Sequence, residues 1–137
     1  MAGFSPDLEL QGVIVETLKA DPDVTALVAD RVYDRIPQAP VFPYVNFAGS
    51  DETEDDADCI KGSAIFIQID AWSRKPGYPE VKKIANAVRN ALHDADLVLN
   101  TNALVMIEHR QIRVFRDPDG LTSHGVIELQ AFVERKP

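Results

Sequence analysis

Residues Ile65–Ala95 read IFIQIDAWSRKPGYPEVKKIANAVRNALHDA, and a change of period inside this stretch decides the fold. In its first part Ile65, Ile67, Ile69 and Ala71 alternate with Phe66, Gln68, Asp70 and Trp72, the period of two that a pleated strand imposes. Both sets carry apolar bulk, so this strand belongs at the centre of a sheet. Lys75-Pro76-Gly77 breaks it with a turn. From Tyr78 to Ala95 the residues Val81, Ile84, Ala85, Val88, Leu92 and Ala95 fall on one helical stripe, with Lys82, Lys83, Asn86, Arg89, Asn90 and His93 opposite. A helix that is apolar on one side must be covered by another element.

Upstream, Ser5-Pro6-Asp7 suits the cap and first turn of a helix whose Leu10, Val13, Ile14, Thr17 and Leu18 share a face. Asp21-Pro22-Asp23 starts a second, shorter helix carrying Val24, Leu27 and Val28 and ending near Asp30. Pro37, Pro40 and Pro43 then favour an extended connector from Val32 to Pro43, followed by a short strand from Tyr44 to Ala48. The segment GSDETEDDADCIKG, Gly49 to Gly62, crowds Asp51, Glu52, Glu54, Asp55, Asp56 and Asp58 between two glycines, and its self-repulsion predicts a solvated, flexible acidic loop.

Downstream, Leu104 to Arg116 alternates but changes phase near His109 to Gln111, which predicts a strand with a β-bulge. Asp117-Pro118-Asp119-Gly120 is a turn, and Gly125 to Glu134 alternates again, so the two strands are expected to pair as an antiparallel hairpin. The order of elements predicts a single α+β domain over residues 1–137, a mainly antiparallel four-stranded sheet with the long helix and the N-terminal helix packed on one face.

The 137 residues, 45% hydrophobic and 26% charged, describe an ordinary globular chain. At that size folding buries about two thirds of the surface of the unfolded chain. Acidic residues outnumber basic ones by 22 to 14, and the net charge of -8 repels phosphate backbones, so specific nucleic-acid binding is not expected. The single cysteine, Cys59, has no internal partner for a disulfide, and no apolar run approaches the about 20 residues that span a bilayer. These readings predict a reducing compartment and no membrane insertion.

The sequence carries no complete catalytic or metal-binding pattern. His93, His109 and His124 lack HExxH, HxH or paired-cysteine surroundings and read as helix-surface or strand-end residues. Cys59 sits among carboxylates, which disfavour the thiolate. Asp117, Asp119 and Glu128 match the first, third and last ligand positions of an EF-hand, but Leu121 and Thr122 stand where a ligand and a glycine are required. Asp70, inside an apolar strand, reads as outward-facing or salt-bridged, with Arg74 or a helix lysine as partner. The expectation is no catalytic residue, no metal and no cofactor.

Three segments in order resemble one family, the tail-completion proteins of tailed phages: VADRVYDRIPQAPVFPYV (Val28 to Val45), IDAWSRKPGYPEVKKIANAVRNALH (Ile69 to His93) and RVFRDPDGLTSHGVIELQAFVE (Arg113 to Glu134). The resemblance implies a tail terminator, a structural protein of phage or gene-transfer particles that is assembled in the bacterial cytoplasm. It implies a ring, hexameric, at the head-proximal end of the tail, which ends growth of the tube and joins it to the head while DNA passes through. The implied partners are further copies of the chain, the tail-tube protein and a head-tail connector or head-completion protein, with no cofactor and no catalytic residue. Edge strands and long loops supply the contacts between ring subunits. The candidates are Tyr33, Arg35, Ile36 and Phe42 in the connector and Arg116, Asp117 and Asp119 at the hairpin tip, with the acidic loop facing the lumen or staying mobile. The connector equally reads as a packed loop. Without the resemblance, the same elements fit a small cytosolic ligand-binding or regulatory α+β domain.

Overall fold

The computed structural model describes residues 3–56 and 60–136 of the chain. Helix α1, Pro6–Ala20, starts where Ser5 Oγ accepts from the Leu8 amide at 3.2 Å, and it buries Leu10, Ile14 and Leu18. Asp21 caps α2, Pro22–Val28, by accepting from the amides of Asp23 and Val24 at 2.9 and 3.0 Å. Helix α3, Pro79–Leu92, buries Val81, Ile84, Ala85, Val88 and Leu92, the stripe read from the sequence, but it stops three residues short of Ala95.

The sheet differs from expectation. It has five strands in the order β1-β2-β3-β5-β4, built from β1 (Val32–Tyr33), β2 (Tyr44–Glu54), β3 (Gly62–Ser73), β4 (Ala103–Arg116) and β5 (Ser123–Glu134). The extra strand β1 lies in the proline-rich connector and pairs parallel to β2 through Val32 with Val45 and Tyr33 with Asn46. The sheet is therefore mixed, and two residues are too few to show a period in the sequence. All other pairings are antiparallel, with β3 at the centre.

The second difference concerns the acidic segment. Residues Gly49 to Glu54, expected in a flexible loop, extend β2 and pair with β3 from Gln68 back to Ser63. Ladder hydrogen bonds fix this backbone, while Asp51, Glu52 and Glu54 remain exposed to water, which screens their repulsion. Asp55 and Asp56 follow in the connection, and Asp58 lies outside the described residues. The bulge expected in β4 is present, as a register shift between His109 and Gln111, with another between Leu104 and Met106.

Helices cover one face only. Ile65, Ile67 and Ile69 of β3 and Ile127, Leu129 and Ala131 of β5 meet the α3 stripe, and all are almost fully buried. Burying each Ile or Leu contributes about 1.5–3 kcal/mol. Gly125 lets α3 settle close, since a Cβ there would stand 3.2 Å from Val81 Cγ2. Residues of the opposite phase, including Tyr44, Asp70, Trp72 and His124, therefore lie on a face without helices.

Candidate functional site

The connector and the hairpin tip, far apart in sequence, converge at one end of this open face. Phe42 from the connector, Tyr44 and Trp72 from adjacent strands, Arg74 after β3 and Asp117 and Asp119 from the β4–β5 turn line a cleft of about 470 Å³. Its floor is a run of rings. Tyr44 has centroids 5.9 Å from Tyr33, 5.0 Å from Phe42 and 6.2 Å from Trp72. Trp72 stacks on His124 at 3.8 Å, with planes 14° apart, and Phe115 tilts against His124 at 4.8 Å. The Trp72 indole N–H donates to Asn46 Oδ1 at 2.8 Å, so the polar edge of the ring is satisfied by a buried neighbour on β2.

Two charged groups close the cleft. The Arg74 guanidinium lies 4.2 Å from the Phe42 ring centroid and donates through Nε to Thr122 Oγ1 at 3.2 Å. Asp119 Oδ1 accepts from the amides of Leu121 and Thr122, each at 2.9 Å, and Oδ2 accepts from the Thr122 hydroxyl at 2.7 Å. These bonds, the Thr122 amide first, hold its carboxyl at about 2, below the ordinary 3.8. Gly120 has φ of +74°, a conformation open to glycine, and its amide closes the turn on Asp117 O at 3.0 Å. The tip is thus a built turn. Asp119 shapes it from within.

Asp70 is nearly buried, with Oδ1 accepting from Gln68 Nε2 at 3.0 Å and Oδ2 standing 3.1 Å from His124 Nε2. The latter is a close contact and not an aligned hydrogen bond, since His124 Nε2 has no partner of hydrogen-bond geometry. His124 Nδ1 lies 3.7 Å from Asp117 Oδ1, so one imidazole bridges the central strand and the hairpin turn. This corrects the expected pairing of Asp70. The side chain points away from the helices, so no helix lysine reaches it, and Arg74 is engaged by Phe42 and Thr122.

Of the sequence-read candidates, Phe42, Asp117 and Asp119 come together in the cleft, and Tyr33 joins them through Tyr44. Arg35 is exposed and Ile36 half-buried beside them in the connector. Arg116 turns to the other face, 5.0 Å over the Tyr78 ring. Sequence reasoning missed Tyr44, Trp72, Arg74 and His124. The available signal was phase: Tyr44, Trp72 and His124 occupy one open-face row of the ladder, with Tyr44 opposite Trp72 and Trp72 opposite His124.

The acidic residues collect at the far end. Ser63 Oγ donates to Glu52 at 2.6 Å. Asp56 accepts from the Gly62 amide at 3.0 Å and pairs with Arg135, and the Gly62 bond leads in holding its carboxyl below the ordinary value. Among the described residues, no three His, Cys, Asp or Glu side chains gather as a metal site.

Residues 12–134 match the family described as tail completion protein gp17. The chain belongs to this family. Its fold also matches a chain from the virion of a native gene transfer agent particle, with a TM-score of 0.88 and 27% identity over 96% of this chain and 98% of that one. The gp17 protein of bacteriophage SPP1 shares the fold at a TM-score of 0.61, with 22% identity over 90% of this chain and 88% of that one. No curated protein sequence matches it. The cleft is flanked by Arg74, Asp117 and Asp119 and stiffened by the hairpin turn. Both of its walls come from segments that carried the family resemblance in the sequence.

Proposed function

We propose that this chain is a structural, non-catalytic component of a phage or phage-like tail, which assembles as a ring at the head-proximal end, stops growth of the tail tube and joins the tail to the head. The single observation that carries this reading is the likeness to a gene transfer agent virion chain over almost the full length of both chains, at a TM-score of 0.88. The family match over residues 12–134 points the same way. The cleft between connector and hairpin tip supports it physically, because rigid side chains presented on an uncovered sheet face bind a partner with little loss of side-chain entropy. The partners in this reading are other copies of the chain, the tail-tube protein and a head-tail connector or head-completion protein, with DNA passing through the ring.

The test is genetic and visual. Particles made without the chain are expected to yield full heads and unattached tails of irregular length, and supplying the chain in trans should restore uniform, joined particles. Electron microscopy of purified tails incubated with the chain should show a cap at one end. Normal tails and infectious or gene-transferring particles in its absence would overturn the proposal.

A further inference from the structure

Two loops meet beside the cleft and line a second cavity, of about 300 Å³. One is residues 74–77, between β3 and α3, and the other is the hairpin tip, through Arg116, Gly120 and Leu121. Arg74, Lys75 and Arg116 all line this cavity, and no acidic side chain does. In a chain of net charge -8 this corner has the opposite sign to the whole. The two walls are tied together: Ser123 Oγ donates to Gly77 O at 3.2 Å, and Ser73 Oγ accepts from the Lys75 amide at 3.2 Å and donates to Glu80 at 2.7 Å.

The nearest carboxylates are committed elsewhere. Glu80 takes the Ser73 hydroxyl and lies 3.5 Å from Lys75 Nζ, Asp117 stands beside His124, and Asp119 is turned into its own loop. Rings, not carboxylates, position the two arginines. Arg74 lies over Phe42 and uses only Nε, while Arg116 lies over Tyr78 with no side-chain hydrogen bond among the described residues. Lys82 of α3 approaches the same Tyr78 ring at 5.9 Å and adds positive charge next to the cavity. Among the described residues Arg74, Arg116 and Lys82 form no ion pair. Guanidinium groups held in place with their terminal N–H donors free suit a carboxylate, which accepts two of them side by side at little further loss of side-chain entropy.

Phosphates share this chemistry, but the charge distribution favours a protein ligand. A duplex presents an unbroken line of phosphates and is held by a matching track of cations. Here the cations give way to Asp117 and Asp119 on the cleft side of the same turn, and the rest of the chain repels a polyanion. A second copy does not supply the acid. Exposed Asp51, Glu52 and Glu54 stand opposite Phe66, Ile65 and Ser63 of β3, seven to ten residues before Ser73, so they lie toward the other end of the strands, about 23–33 Å away. Copies placed side by side keep that offset. Asp30 and Asp34, at the cavity's own end of the sheet, each precede an arginine, Arg31 and Arg35, that offsets them.

We propose that the cavity between residues 74–77 and the hairpin tip binds carboxylates of an acidic segment on another protein of the particle, held by Arg74, Lys75 and Arg116. The proposal rests on the assembly reading given under Proposed function and gives one of its partners a chemistry. The probe is hexaglutamate, added at low salt to the isotope-labelled chain and followed by amide NMR, with a neutral Gly-Ser hexapeptide, inorganic phosphate and a short DNA duplex as separate arms. Hexaglutamate should shift the Gly77, Gly120 and Ser123 amides in a saturable way, and the Gly-Ser peptide should not. Lys75→Gln combined with Arg116→Gln should weaken binding by about tenfold or more, with circular dichroism confirming the fold. Binding to the wild type should weaken as salt rises.

Should the double variant misfold, the wild-type contrast between the glutamate and Gly-Ser peptides, with its salt response, decides the matter. Shifts that map elsewhere, or a double variant that binds hexaglutamate as the wild type does, overturn the site. Phosphate that shifts these amides where hexaglutamate does not would mark an adventitious ion only, and a duplex that displaces hexaglutamate would assign a nucleic acid; either result overturns the proposal. So do shifts at these amides that grow with the concentration of the chain alone, which would assign a second copy. In particles, a chain with Lys75→Glu and Arg116→Glu supplied in trans should lower the yield of joined particles by about tenfold or more. A normal yield overturns the site and leaves the ring reading standing. Normal tails made without any copy of the chain overturn the ring reading, whereas hexaglutamate binding is measured independently of it.

Discussion

Glu9 offers the sharpest test of how this fold fixes its β4 edge. Its carboxylate, in the first turn of α1, accepts from the Thr101 amide at 2.8 Å, the Asn102 amide at 2.9 Å and the Asn102 side-chain amide at 3.1 Å. Asn102, itself buried, immediately precedes β4, so one carboxylate ties the first helix to the start of the edge strand. A hydrogen bond to a charged group contributes about 1.5–3 kcal/mol net. The three bonds share one half-exposed carboxylate, so Glu9→Ala is expected to cost about 2–3 kcal/mol in total, not three times the single value. At this chain length that lowers the melting temperature by about 6–12 °C. Glu9→Gln keeps one acceptor oxygen and should lose about half as much.

Acidity provides an independent check on the same carboxylate. Burial pushes the Glu9 carboxyl upward, but the hydrogen bonds from Asn102 and Thr101 together outweigh it and leave the carboxyl below its ordinary value of 4.5. A depressed folded-state value means that the charge stabilises the fold fully above the unfolded value and stops doing so as pH falls through the folded one. The stability gap between the wild type and Glu9→Gln should therefore be constant near neutrality and close below pH 4.5. Urea unfolding followed by the fluorescence of Trp72, the only tryptophan, measures it. A loss below about 0.5 kcal/mol for Glu9→Ala at neutral pH, within the range of an ordinary surface change, would refute the reasoning. So would a gap that widens in acid.

Two further outcomes follow from local geometry. The Asp119 carboxyl should titrate at about 2 by carbon NMR, so the bonds to Leu121 and Thr122 are intact above 3.8 and lost as pH falls through that lower value. Asp119→Ala should speed amide exchange at Leu121 and Thr122, and a midpoint near 3.8 would show that the turn does not depend on the carboxylate. Gly62→Ala would set a Cβ 2.7 Å from the Asp55 carbonyl oxygen, so thermal unfolding should register a loss of about 1–3 kcal/mol. Gly49→Ala, with nothing within 4 Å of the added atom, should stay within about 0.5 kcal/mol, and equal effects at the two sites would discount the close approach.

The parts of this fold that were legible in the sequence are those where period and burial coincide. Val81, Ile84, Val88 and Leu92 face the sheet because their spacing leaves no other face apolar, and the β4 bulge showed as a break in alternation at His109 to Gln111. The failures share a cause, which is that pairing partners distant in sequence leave no local mark. Glu52 and Glu54 sit in a strand because Ile65 and Ser63 lie opposite them, and Val32 does because Val45 does. Asp70 was misassigned for the same reason, since His124 becomes its neighbour only when β3 and β5 pair. The cleft was half legible. Its connector and hairpin walls were named from their turns and prolines, but the rings between them are strand residues whose exposure depends on which face the helices leave open.

The carboxylates carry the remaining step, because sequence treats as one class what the structure divides into two. Asp21 and Asp119 accept backbone amides and shape local turns, and Glu9 clamps a distant segment. Mutating them should change stability before it changes assembly. Asp51, by contrast, makes no side-chain hydrogen bond among the described residues, and Glu54 keeps 77% of its side chain exposed while it meets Arg135 at 3.6 Å. A charge such as that of Asp51, whose bonds are not used inside the fold, costs little to hold in water. Neutralising Asp51, exposed and unbonded, should leave urea unfolding within about 0.5 kcal/mol of the wild type. A larger loss would mean that the Asp51 carboxylate is held by the fold after all.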